Sequence, residues 1–110
     1  MKLKSIIAAA IIAAPTMAAA NQKDGMKVAY CSLLGQNASN YAIGRMIGIT
    51  EQHMTTKAID PLQNGETKNA LYQIIHVVYA VDDNTFFGMK DYAPTAFRNA
   101  AVKTCMTVGF

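Results

Sequence analysis

Two histidines, two cysteines, a pair of serines and one run of acids are the side chains of this chain to examine first for chemistry. His53 and His76 are the only histidines, and a histidine can act as a general acid or base near neutral pH. Neither has a good ligand at helical spacing. Glu51 is two residues from His53, which on a helix points the two side chains apart. His76 lies beside an apolar run, where a lone histidine is more often a partly buried structural group than a base. Ser32 and Ser39 lack the strained turn or paired base that activates a hydroxyl. Asp82-Asp83-Asn84 lacks the alternating acids, central glycine and distal glutamate of a calcium loop, and reads as a solvated turn at a helix end. Asn37-Ala38-Ser39 fits the glycosylation acceptor pattern, which is frequent by chance. With no glycine-rich phosphate loop either, we expect no cofactor and no metal, and an enzyme only if it is built on His53 or His76.

The cysteines carry a different chemistry. Cys31 and Cys105 are the only two, and they lack the close-spaced partners of a zinc site. Their pairing depends on compartment. Met1-Lys2-Leu3-Lys4 is a short basic start, Ser5 to Ala14 is an apolar run, and Pro15-Thr16 breaks it. Met17-Ala18-Ala19-Ala20 then supplies the small residues of a cleavage site ahead of Asn21. These features predict a secretory signal peptide over residues 1–20, cut after Ala20. The apolar run falls short of the roughly 20 residues a membrane anchor needs. The signal has a bacterial look, so the expected destination is the periplasm or the medium, with membrane contact only during export. In that oxidising compartment Cys31 and Cys105 pair. Closing a loop of roughly 75 residues contributes on the order of 4 kcal/mol in the chain-entropy model.

Export also changes the charge. The chain holds ten Lys+Arg and seven Asp+Glu. Removing Lys2 and Lys4 leaves eight basic residues against seven acidic ones, a net charge of +1. Lys57, Lys68, Lys90 and Lys103 stand singly, so a positive face for nucleic acid is not expected.

Residues 21–110 suffice for one small domain. Asn21 to Gly25 is polar and reads as a flexible start. Tyr30, Cys31, Leu34, Ala38, Tyr41, Ala42 and Arg45 recur at three and four residues, predicting a helix from about Met26 to Ile47 that Gly48 ends. Gly35 and Gly44 weaken that helix or let another approach it closely. Thr50 caps a second, short helix with Ile49 packing on Met54, and Asp60-Pro61 stops it. Glu66 to Val81 places Leu71, Ile74, Ile75 and Val78 on one helical face, with a buried strand over Ile74 to Ala80 as the alternative. Thr85 to Tyr92 reads as a loop or a short helix laid over the core. The last helix opens near Tyr92-Ala93-Pro94 and runs to about Met106, with Phe97, Ala101 and Cys105 inward. The fold expected is all-α: a compact bundle of three main helices plus one short helix, first and last joined by the disulfide.

The candidate contact residues come from the same reading. Phe86, Phe87, Met89 and Tyr92 are bulky but lack the spacing of a core-facing helix. They either cap the bundle or form an apolar contact site for another protein. Arg45 and Arg98 flank the apolar stripes of their helices and either brace the bundle or anchor a partner, bracing being the simpler role.

An early helical cysteine, Arg45-Met46-Ile47-Gly48-Ile49, a helix containing Tyr79 and a closing helix from Phe97 to Cys105 resemble a loose group of small, exported, two-cysteine helical proteins of bacteria and phages. The design is also similar in general form to periplasmic immunity proteins that neutralise cell-wall hydrolases and to small periplasmic acid-stress chaperones. The resemblance implies a periplasmic module that binds another protein, of inhibitor or immunity type. An envelope-stress or chaperone role is the alternative.

Overall fold

The computed structural model describes residues 18–110, with side chains from Gly25 onward. The expected signal peptide, residues 1–20, lies outside the residues whose side chains are described. Among the described residues there are five α-helices and no strand: α1 (Ala18–Met46), α2 (Glu51–Met54), α3 (Glu66–Ala80), α4 (Asp83–Gly88) and α5 (Ala93–Thr107). A π-helical turn, Thr55–Ile59, continues α2, and a 3-10 turn, Lys90–Tyr92, joins α4 to α5.

Helix α1 is the spine. Cys31, Leu34, Ala38, Tyr41 and Ala42 are buried along one side of it, as their spacing predicts. It starts earlier than expected, because Asn21 to Gly25 is helical rather than a loose lead-in. Extending an existing helix backward adds one bond per residue fixed, and Gly25 costs only about 1 kcal/mol against alanine. At the other end Gly48 adopts φ +91°, Gly48 N–H donates to Arg45 C=O and Ile49 N–H donates to Gly44 C=O. That pair of bonds is the Schellman stop, and only glycine enters it without a Cβ penalty.

The turn between α1 and α2 then sets up the next cap. Thr50 Oγ1 accepts from His53 N–H at 3.1 Å. The helix runs through the π turn to Ile59, which is completely buried, and the chain ahead of Pro61 leaves the helix. Lys68 Nζ donates to the carbonyls of Asp60 and Leu62 and to Asn64 Oδ1, lashing the 60–65 turn to α3.

Residues 74–80 are helix, not strand. Ala70, Leu71, Ile74, Ile75 and Val78 are buried while Gln73, His76 and Val77 face solvent, a period near 3.6 that a strand cannot produce. The Asp82-Asp83-Asn84 run caps α4: Asp82 accepts from the backbone N–H and hydroxyl of Thr85. Those two bonds hold the Asp82 carboxyl below its ordinary pKa. Helix α5 opens with Pro94 in its first turn and buries Ala93, Phe97, Ala101 and Cys105 against α1.

The α1–α5 pair is the tightest in the fold. Cys31 and Cys105 form a disulfide with their Cα atoms 5.5 Å apart. One turn further along α1, Gly35 is buried against α5, where a methyl would come within 2.5 Å of Val102 Cγ2 and 3.1 Å of Arg98 O. The absence of a side chain there is what lets the two helix backbones approach.

Candidate protein-contact surface

Arg45 organises the end of α1 remote from the disulfide. Its side chain is only 9% exposed. One guanidinium nitrogen donates to Val78 C=O at 2.8 Å, satisfying a carbonyl that the last turn of α3 leaves unpaired. The other meets Asp83 Oδ1 at 2.8 Å, in the first turn of α4. The guanidinium carbon sits 4.2 Å from the ring centre of Phe86 and just under 6 Å from those of Phe87 and Tyr79. A desolvated cation over an aromatic face contributes on the order of 1–2 kcal/mol. Arg45 therefore joins α1, α3 and α4 at one point. Tyr79 adds a parallel tie, its hydroxyl donating to Ile49 C=O at 2.7 Å.

The six candidate contact residues divide accordingly. Arg45 braces the bundle. Phe86 has no exposed surface: it packs edge-on against Phe87 and tilted against Phe97, inside the core rather than on its face. The residue after it on a helix points about 100° away, so Phe87 stands 50% exposed. Met89 is half-buried. Lys90 has φ +53°, rare for a residue with a side chain, and this turns the chain out of α4 and into α5. Tyr92, just beyond, is 60% exposed. Arg98 is exposed on α5, its stem lying against Gly35 of α1. Of the six, Phe87 and Tyr92 are the bulky groups presented to solvent, and they flank one sharp corner.

The histidines sit elsewhere. His76 is not partly buried as its neighbours suggest. Its side chain is 76% exposed, and Nδ1 lies 3.6 Å from Glu51 Oε2. One residue past Ile75 rotates it off the buried face, and α2 supplies the carboxylate from 25 positions upstream, beyond the reach of any helical-spacing argument. His53 is exposed on α2. Glu51 also forms part of a shallow, open polar groove with Thr50, Gln52, Thr55, Thr56 and Asp60. Tyr72 donates to Asp60 Oδ1 beside it, a bond that raises the phenol pKa. Among the described residues no group of three or more His, Cys, Asp or Glu side chains could hold a metal ion, and no helix is long and apolar enough to cross a membrane.

Sequence reasoning missed two features of the surface. Tyr79 and Asp83, which complete the Arg45 cluster, carry no local signal because their partners come from other helices. The other is on α1, whose outer side exposes Met26, Leu33, Ile43 and Ile47. Their separations of 7, 10 and 4 residues keep them on one helical face, legible in the sequence once the inner stripe has been assigned. No family model, no curated protein and no solved structure matches the chain.

Proposed function

We propose that this protein is an exported, non-catalytic protein-binding module of inhibitor or immunity type, acting in the periplasm on another exported protein. The observation that carries the reading is the exposure of Phe87 and Tyr92 on the corner between α4 and α5. Aromatic side chains give large contact area at low entropic cost and dominate binding hot spots. The corner behind them is held by the Arg45 cluster and by Phe86 in the core, so little ordering is left for binding to oppose. The Cys31–Cys105 bond is compatible with an oxidising compartment.

The test is affinity capture from a periplasmic extract with the chain as bait, compared with a Phe87→Ser/Tyr92→Ser double variant. A partner identified by mass spectrometry, and lost with the variant while the circular dichroism stays unchanged, supports the reading. A partner retained by the variant removes the corner from the site. Client capture that begins only as the fold loosens at low pH would replace the inhibitor reading with the chaperone one. Amino-terminal sequencing of the exported protein should return Asn21.

A further inference from the structure

Helix α1 carries two stripes. The inner one, centred on Cys31, Ala38 and Arg45, packs on the bundle. The outer one lies roughly 170° around the helix from it and consists of Met26, Ala29, Leu33, Gln36, Asn40, Ile43 and Ile47, all exposed. The steps between them alternate three and four without a break, which is the seam of a two-stranded coiled coil. The stripe is about 32 Å long at 1.5 Å per residue. Neither α3 nor α5, the long helices that pack on the inner face, covers it.

We propose that the occupant of this face is a second copy of the chain, with the two α1 helices antiparallel and the two-fold axis crossing the seam between Gln36 and Asn40, level with residue 38. The order of residues along the stripe argues for that partner. In this register Leu33 faces Ile43 of the second copy, Ile47 faces Ala29, and Gln36 faces Asn40. Apolar groups meet apolar groups, the largest meets the smallest, and the two amides, each with donors and acceptors, satisfy one another at the centre. A buried polar pair at the seam fixes register in the same way as the single asparagine of coiled-coil dimers. An antiparallel pair also opposes the two helix dipoles. The face is self-complementary, as a two-fold interface requires. Six of these positions pair along the seam and Met26 falls opposite Thr50 of the second copy; covering them removes on the order of 1,000 Å² from water, the lower edge of specific interfaces. The seam begins at Met26, so loss of residues 1–20 leaves it whole.

Sedimentation equilibrium of the purified, disulfide-intact chain at micromolar concentrations should give the mass of a dimer. Leu33→Glu and Ile43→Glu, both on the solvent side of the free protomer, should leave its circular dichroism unchanged. Each should weaken association by at least about tenfold. A benzophenone amino acid placed at position 29, on the seam, should cross-link to the partner near Ile47. Cross-linking near position 29 itself would overturn the antiparallel register. A monomer at every concentration, a dimer indifferent to both glutamates, or a monomer that binds anionic phospholipid vesicles through this face would overturn the proposal.

Discussion

The middle of α1 and its C-terminal end are fastened by different physics. Midway along the helix, Cys31 is bonded covalently to Cys105 of α5. About 21 Å further along, Arg45 holds α3 and α4 through one backbone bond, one ion pair and an aromatic stack. The disulfide needs only two residues and acts largely on the unfolded chain, by removing conformations available to a long loop. The arginine acts wholly on the folded one, where it gains only if its donors, its stem and its ring contacts are all in place. The first fastening therefore sets how stable the domain is, and the second sets how α3 and α4 sit on the spine. The exposed aromatics belong to the second region.

Removing the covalent fastening should have the largest effect. Replacing both cysteines by serine should lower the stability of the chain by about 4 kcal/mol in urea unfolding. A loss under about 1 kcal/mol would mean that the closed loop is already compact when unfolded. Arg45→Met keeps the stem but removes the bond to Val78 and the charge over Phe86. A loss of about 2–3 kcal/mol is expected, with larger chemical-shift changes at Val78, Phe86 and Phe87 than around Cys105. If Arg45→Met proves as harmless as a surface change, the second fastening is ornamental and the contrast between the two points collapses.

Two glycines sharpen the comparison. Gly35→Ala drives a methyl into Val102 and the carbonyl of Arg98 on α5, and backbone cannot swing aside. It should cost about 1–3 kcal/mol, readable as a lowered melting temperature. The same change at Gly44 meets the mobile end of Met54, and the helix propensity it gains, up to about 1 kcal/mol, should nearly offset the crowding. Equal losses at both would show that the middle and the C-terminal end of α1 are packed alike.

Between Cys31 and Arg45 lies Tyr41, whose hydroxyl is buried without a hydrogen-bond partner and whose pKa burial pushes up to about 12. The folded state therefore disfavours the phenolate. The stability linked to Tyr41 is intact below pH 10, the value for an unfolded tyrosine, and is lost as pH rises through about 12. Tyr41→Phe removes an unsatisfied group and should be neutral or stabilise by up to about 1 kcal/mol at neutral pH, while flattening the alkaline decline. A clear loss at neutral pH would reveal a partner for the hydroxyl. The smallest effect belongs to Asp83→Asn. Its carboxylate is 85% exposed, so the change should cost under about 0.5 kcal/mol and mask little of the salt dependence of unfolding.

Much of the fold was legible because its signals are local. The inner stripe of α1, the glycine stop at Gly48, the Thr50 cap, Pro94 opening α5 and the inward set Phe97, Ala101 and Cys105 each depend on neighbours within a turn or two. The contact surface was legible only as a region. Phe86 and Phe87 are adjacent and chemically identical, and the phase of α4 buries one and exposes the other. His76 looked structural for the same reason: the pattern locates the apolar face of α3, but its edge falls between Ile75 and His76.

By itself the sequence determined that the described chain is helical, where its long helices stop, and that two cysteines near the two ends of the domain could close it. Periodicity, caps and the rarity of cysteine are properties of residue type and spacing, and need no knowledge of the partner helix. Tertiary structure alone decided that Arg45 would reach Val78 and Asp83, that Glu51 would meet His76, and that Phe87 rather than Phe86 would face water. Each of those depends on how one helix is rotated and set against another, which is fixed by the packing of whole faces and is invisible to any single segment.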